Sequence, residues 1–233
     1  MTNRRLNQYS GSLSAKQVTY GMNAALRNAR RLLADAEMLL QAGRYPSAAS
    51  LAALSIEESG KAAILRSMAL AQDNQEMVKT WKSYRSHAQK NVAWILPQLV
   101  LQGARRLEDF RPLFESDAEH PYLLDQIKQL GFYTDCLGGA HWSEPDAVVD
   151  QELAQQLVQV AELLSRGREI SVREIELWIK HIKPVWRGSM EWMKTAVANW
   201  YAEMQREGLV PPGKNAMEEF LWQGPGEQDP SAK

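Results

Sequence analysis

One stretch, from Tyr45 to Leu70, constrains the fold of this chain more than any other. It reads YPSAASLAALSIEESGKAAILRSMAL, an alanine-rich apolar run with Glu57, Glu58 and Lys61 in its middle. An apolar run of this length is typical of a buried helix, and its small residues let neighbouring helices approach closely. Because a buried charge must be paired or used chemically, we expect a central helix that carries a polar cluster.

Helical periodicity surrounds this stretch on both sides. A capping box at Ser14 predicts the start of a first helix that ends at Gly43, and the short connection predicts an antiparallel hairpin with the central helix. A third helix is predicted over 77–99, with Pro97 kinking it or ending its first segment. Residues 103–121 are predicted to form a loop with at most short helices.

The second half of the chain is less regular before it becomes helical again. A short helix should precede residues 132–145, FYTDCLGGAHWSEP, which predict a structured loop or small hairpin. Further helices are expected before Gly167 and after Ser171. The C-terminal helices contain four tryptophans whose helical spacing favours a core or an oligomer interface over a base-stacking platform. These are Trp178, Trp186, Trp192 and Trp200.

The predicted fold class is all-α, because strand-period alternation is sustained nowhere in the chain. We expect one helical domain over residues 15–207. A flexible N-terminal tail at 1–14 precedes it, and a mostly irregular C-terminal tail at 208–233 follows it. This last tail holds one expected turn of helix at 216–222.

Composition narrows the class of function. Lys and Arg number 27 against 28 Asp and Glu, so the formal net charge of -1 shows no overall basic bias towards nucleic acid. Cys136 is the only cysteine, which excludes an intrachain disulfide and a cysteine zinc site. With no signal-like segment and no long uncharged apolar run, we expect a cytoplasmic protein with no membrane partner.

The charges of the central helix allow two interpretations. Glu57 and Glu58 lie four and three residues before Lys61, the spacing of ordinary surface ion pairs. Their apolar flanks instead favour a cleft. A carboxylate-bridged metal bundle needs Glu-x-x-His, whereas this chain has Glu58-Ser-Gly-Lys61, and an ammonium cannot ligate a metal. No metal or other cofactor is therefore predicted.

His87 is the strongest candidate for chemistry, because imidazole titrates near neutral pH and can act as a general acid or base. Lys82, Arg85 and Lys90 bring positive charge to the same stretch, as a phosphodiester transition state requires. At helical spacing His87 and Lys90 share a face, whereas Arg85 lies well round from it. A solvated basic face is the alternative.

Three ordered blocks, AGRYPSAASLAALSIEESGKAAIL, WKSYRSHAQKN and LGFYTDCLGGAHWSEP, resemble the AbiV family of bacterial abortive infection proteins. That family is assigned to the HEPN superfamily of helical domains, many of which are metal-independent ribonucleases. The resemblance covers roughly residues 15–164 and implies a HEPN-like bundle with additional C-terminal helices. Residues that match the family pattern are Glu57, Glu58, Gly60, Lys61, His87, Lys90, Tyr133, Asp135, Trp142 and Pro145.

The resemblance implies an anti-phage effector that cleaves RNA and shuts down translation, as a homodimer with two His-bearing helices across a cleft. A phage-encoded activator is a further implied partner. The candidate catalytic residues are His87, Lys82, Arg85, Lys90, Glu58 and Lys61. In this hypothesis Glu58 and Lys61 orient His87, while Glu57, Tyr133 and Asp135 are additional candidates, the last two closing the cleft.

The chain departs from the superfamily pattern at one point. Superfamily ribonucleases have Arg, then four to six residues, then His, whereas here Arg85 is separated from His87 by Ser86 alone and Lys82 stands at the four-residue separation. Lysine supplies charge but not the bidentate guanidinium fork. The alternative is a non-catalytic helical protein that binds a phage or host protein and blocks translation indirectly. Its charged residues would then form a buried structural network.

Overall fold

The computed structural model describes residues 7–115 and 117–223, and these are almost entirely helical. The helices in chain order are α1 Ala15–Gln41, α2 Tyr45–Met68, α3 Asn74–Arg85, α4 His87–Lys90, α5 Leu96–Leu101, α6 His120–Phe132, α7 Pro145–Val148, α8 Gln151–Ser165, α9 Val172–Ile182, α10 Met190–Arg206 and α11 Ala216–Glu218. Short 3₁₀ or π turns occupy Val92–Ile95, Leu107–Phe114, Lys183–Val185 and Glu219–Gln223. Two strands, β1 Asp135–Leu137 and β2 His141–Ser143, form one antiparallel hairpin.

The central position predicted for α2 is confirmed. It packs against α1, α6 and α8 in one apolar core, and its C-terminal half joins α1, α3 and α9 in a second. Ala48 and Ala52 are fully buried, so the small side chains of α2 allow close packing. Gly43 adopts the left-handed conformation at φ 72°, which lets the chain reverse direction within the short α1–α2 connection.

The prediction of one continuous third helix is wrong. Ser86 is extended and its hydroxyl caps the N-terminus of α4, so α3 ends at Arg85 and a new helix begins at His87. Pro97 lies in the first turn of α5, where its missing N–H costs nothing, and therefore does not end a helix. Lys82 and Arg85 thus lie on a different helix from His87. The predicted angle between Arg85 and His87, which assumed one continuous helix, therefore does not apply.

The later elements follow the sequence expectations closely, with one exception. The small hairpin is confirmed, with Cys136 opposite Trp142. α9 and α10 build a third core that includes Trp200, and Trp178 and Trp186 pack against it. Trp192, however, is 66% exposed. Of the two predicted positions, core or oligomer interface, the core is therefore wrong for this tryptophan.

Both ends of the described chain contact the helical body. The indole of Trp81 donates to the carbonyl of Gly11 at 3.0 Å, which fastens the segment before α1 onto α3. The amide of Asn215 donates to the carbonyl of Ala198 at 2.9 Å, which holds the predicted helical turn at 216–222 against α10. Residues 1–6 and 224–233 of the two predicted tails lie outside the described residues. Among the described helices, none is both long and apolar enough to cross a membrane.

Candidate functional site

A buried carboxylate, that of Glu57 on α2, lies at the centre of a polar cluster. Its side chain is 3% exposed and lies 2.8 Å from Nδ1 of His87. The oxygen close to His87, Oε2, also lies 3.3 Å from Nζ of Lys90, and the other oxygen, Oε1, accepts from Nζ of Lys128 at 2.6 Å. Lys128 also donates to Asp125 at 2.6 Å. These five residues, contributed by α2, α4 and α6, are called the Glu57 cluster below.

Two glycines allow the helices to approach closely enough to form this cluster. A Cβ at Gly60 of α2 would overlap the backbone carbonyl oxygen of Lys90, so the backbones of α2 and α4 are in direct contact. A Cβ at Gly131 of α6 would overlap the hydroxyl of Ser50 on α2. That hydroxyl donates to the carbonyl of Lys128 at 3.1 Å, which ties α6 to α2 beside the cluster.

The hydrogen bond to Glu57 determines the tautomer of His87. An ionised carboxylate has no proton to donate, so Nδ1 of His87 must be the donor. Nζ of Lys128 also lies 3.3 Å from Nδ1, but both groups are donors, so this is proximity without a hydrogen bond. In the neutral ring Nε2 then carries the lone pair, on a side chain that is 55% exposed. The site presents a proton acceptor to solvent with a buried carboxylate behind it.

Within the cluster, the surroundings favour the charged forms of Glu57 and Lys128. Burial by itself raises the pKa of Glu57, but hydrogen bonds from Lys128 and His87 and the charges of Lys128 and Lys90 outweigh it, so this pKa lies below its ordinary value. Burial lowers the pKa of Lys128, yet its bonds to Asp125 and Glu57 leave that pKa raised. One buried negative charge is thus held between two ammonium groups.

The same residues include a set with metal-ligand chemistry. Glu57, His87 and Asp125 each offer a ligand atom within 4.8 Å of the others. Nζ of Lys128 lies among them, 2.6 Å from Glu57, 2.6 Å from Asp125 and 3.3 Å from His87. Because the ammonium occupies the position that a cation would need, the donor set fits an internal lysine and does not fit a metal ion.

Glu58 and Lys61, expected to orient His87, lie outside the cluster. They are hydrogen-bonded to each other along α2, and Nζ of Lys61 lies over the ring of Tyr84 at 5.3 Å. Their contacts link α2 to α3. The carboxylate that is hydrogen-bonded to His87 belongs to Glu57, the residue before Glu58.

Lys82 and Arg85 also lie outside the cluster. The guanidinium of Arg85 donates to the carbonyl of Tyr9 and lies 4.9 Å from the ring of Trp81. The side chain of Lys82 is exposed on α3 and makes no hydrogen bond or salt bridge within the described residues. Of the basic residues predicted around His87, the structure brings only Lys90 to Glu57.

The two loop candidates belong to the region of the hairpin. Tyr133 directly follows α6 and is exposed, and Asp135 is the first residue of β1. The backbone N–H of Asp135 donates to the hydroxyl of Ser143 at 3.0 Å. In the part of the chain that the structure describes, neither residue is hydrogen-bonded to Glu57 or His87.

Sequence reasoning missed Asp125 and Lys128. Their i,i+3 spacing in HPYLLDQIKQLGF is the same signal as the spacing of Glu58 and Lys61, so the pair itself was visible. The contact of this pair with Glu57 was not visible in the sequence, because Glu57 lies 71 residues before Lys128.

Comparison with known proteins agrees with this architecture. A HEPN-type family model, described as AbiV, matches residues 17–166. The matched stretch runs from α1 to α8 and contains every residue of the Glu57 cluster, whereas α9 and α10 lie beyond it. No curated protein and no solved structure gave a significant match. Since the family model covers well over half of the chain, the chain belongs to the AbiV family of HEPN-type proteins.

Proposed function

We propose that this protein is an abortive-infection effector against phage that cleaves RNA without a metal ion. The observation that carries the proposal is the exposed ring of His87, held through Nδ1 by the buried carboxylate of Glu57. Imidazole titrates near neutral pH, and a carboxylate behind it stabilises both the tautomer that accepts a proton at Nε2 and the imidazolium that then forms.

In this reaction the ribose 2′-oxygen attacks the adjacent phosphorus and the bond to the 5′-oxygen breaks. Nε2 of His87 removes the proton of the 2′-hydroxyl or, when protonated, gives one to the leaving 5′-oxygen. The products are a 2′,3′-cyclic phosphate and a 5′-hydroxyl end, and no water is consumed. Lys90, 3.3 Å from Glu57, supplies positive charge towards the phosphorane, whereas Lys82 and Arg85 lie on the separate helix α3, where Arg85 is hydrogen-bonded to Tyr9.

A homodimer is part of the proposal. One imidazole cannot remove a proton and donate another in the same step, so complete acid–base catalysis needs a second group. Two copies that face each other across a cleft would supply a second His87. The proposed effector is cytoplasmic, and a phage-encoded protein activates it.

The direct test is an RNA cleavage assay in EDTA on total RNA and tRNA, with and without phage lysate to supply the activator. We expect His87→Ala to lower the cleavage rate by about 100-fold or more, the usual contribution of a general acid or base. Lys82→Ala, a basic residue on the neighbouring helix with no described polar contact, is the matched control and should cleave as the wild type does. Circular dichroism and light scattering check that each variant is folded and has the wild-type mass.

A second function is favoured by the burial of Glu57, Lys90 and Lys128, which satisfy one another as members of a structural network do. In that case the protein binds a phage or host protein and stops translation without chemistry. Wild type would then cleave no RNA under any of these conditions, and His87→Ala would protect cells from phage as well as the wild type does. Equal cleavage by wild type and His87→Ala would exclude His87 as the catalytic residue.

A further inference from the structure

A second histidine–carboxylate pair lies in the C-terminal helices, beyond the residues that the family model matches. Nε2 of His181, in the last turn of α9, is hydrogen-bonded to Glu203 of α10. Both carboxylate oxygens of Glu203 also accept from Nζ of Lys180, at 2.7 and 2.8 Å. Lys180 therefore balances the charge of Glu203, and the imidazole is not needed as its counter-ion.

This bond leaves an acceptor atom free on His181. Because the carboxylate has no proton to give, Nε2 is the donor and Nδ1 of the neutral ring carries the lone pair. Nδ1 makes no hydrogen bond within the described residues and is not among their fully buried unpaired atoms. His181 lines a cavity of about 290 Å³ between the end of α9 and α10.

One face of α10 forms the opposite wall of this cavity. Trp192, Thr195, Ala196 and Asn199 follow one another at i, i+3, i+4 and i+7, the spacing that brings side chains to the same side of a helix. Trp192 is the exposed tryptophan that the core does not use. The carboxamide of Asn199 makes no hydrogen bond within the described part of the chain, whereas the hydroxyl of Thr195 is taken up by the carbonyl of Glu191 at 2.9 Å.

We propose that this cavity binds an unpaired nucleobase that carries an exocyclic amine, stacked on Trp192. Asn199 offers one donor and one acceptor, which match an amine next to a ring nitrogen, as in adenine. Nδ1 of His181 accepts the second hydrogen of that amine. An open cavity with one aromatic wall is how proteins recognise splayed-out bases of single-stranded RNA.

The inference deepens the proposed ribonuclease function and rests on it only for the source of the base. In an RNA substrate, the cavity would hold one base of the strand and so select where the strand lies. Binding is measured without cleavage, so failure of one proposal is distinguishable from failure of the other.

The test uses the full chain carrying His87→Ala, so that RNA survives, with fluorescently labelled octamers in an anisotropy titration. We expect oligoadenosine to bind several-fold more tightly than oligoinosine, because inosine replaces the amine with a carbonyl. Adding Trp192→Ala should raise the Kd for oligoadenosine roughly tenfold, towards the weak end of base–aromatic stacking, and Trp192→Phe should restore most of the affinity. Tyr20→Ala is the control, because it removes an exposed aromatic side chain from a different helix, α1, and it should leave the Kd for oligoadenosine unchanged.

Competition with AMP separates the two sources of the base. Displacement only at concentrations far above the octamer Kd supports RNA, and displacement at equal concentrations supports a free nucleotide. Three results would each overturn the proposal: no binding of either octamer, equal affinity for oligoadenosine and oligoinosine, or an unchanged Kd in Trp192→Ala.

Discussion

The two histidine–carboxylate pairs differ in how deeply the carboxylate lies. Glu57 is buried and held by two buried lysines, and the helices that meet there are separated by up to 71 residues of sequence. Glu203 pairs with a histidine 22 residues away on the adjacent helix, and its main cation, Lys180, is exposed. In both pairs the other ring nitrogen of the histidine makes no hydrogen bond within residues 7–115 and 117–223.

The difference shows how burial of the carboxylate changes what a histidine–carboxylate pair contributes to the fold. A buried carboxylate without its cations would be very costly, so the Glu57 cluster couples the position of His87 to the packing of three helices. The pair at Glu203 is partly buried, but its cation Lys180 is exposed, so water can replace that partner more readily. The position of His87 is thus tied to the fold at the first pair, whereas the second pair joins only α9 and α10.

The largest expected effect comes from removing the buried charge. Glu57→Gln leaves Lys90 without its carboxylate and Lys128 with Asp125 alone, and we expect it to lower the free energy of unfolding by about 3–5 kcal/mol. The matched variant Glu203→Gln should lower it much less. Urea denaturation followed by circular dichroism measures both.

A further substitution sharpens this comparison. If the loss in Glu57→Gln reflects uncompensated ammonium groups, the double variant Glu57→Gln/Lys90→Met should recover part of it. Equal losses in Glu57→Gln and Glu203→Gln would contradict the distinction between the two pairs.

The next largest effect concerns the close contact between the backbones of α2 and α4 at Gly60. Gly60→Ala should lower the free energy of unfolding by about 2–3 kcal/mol, because the added Cβ meets the backbone of Lys90 and no flexible side chain can yield. Gly21→Ala in α1 is the control, since its Cβ would meet only the two methyl groups of the Leu65 side chain, at 3.2 and 3.8 Å. It should change stability by less than about 1 kcal/mol. Equal urea midpoints for the two variants would mean that α4 moves away from α2 at little cost.

The smallest effect is the pH dependence contributed by the second pair. Hydrogen bonds from Lys180 and His181 lower the pKa of Glu203 from 4.5 to about 2. Because the folded state holds this carboxylate ionised, its contribution is complete above about pH 5 and is lost as the pH falls towards 2. Glu203→Gln should therefore lose less of its urea midpoint than the wild type between about pH 5 and pH 3, at low salt. Parallel pH profiles would show that this pair does not hold the pKa of Glu203 down.

Local pattern was sufficient for most of the fold and for part of the site. The apolar periodicity of α1 and α2, the capping box at Ser14 and the turn at Gly43 are properties of neighbouring residues, and the structure confirms them. The break at Ser86 was missed because a single serine can either cap a new helix or continue an existing one, and the neighbouring residues do not distinguish the two. Because of the break at Ser86, Arg85 belongs to α3 and His87 to α4, and Arg85 lies outside the Glu57 cluster.

The helical class, the central place of α2 and the charges within its apolar surface all follow from the order of the residues. Which of those charges meets His87 depends on how the helices pack. Glu57 and Glu58 are adjacent and identical in chemistry, but successive residues on a helix point about 100° apart. The packing of α4 and α6 on one side of α2 therefore selects Glu57 to meet His87 and Lys128 and leaves Glu58 to its neighbour Lys61. That choice depends on which faces of distant helices meet, and no local pattern contains it.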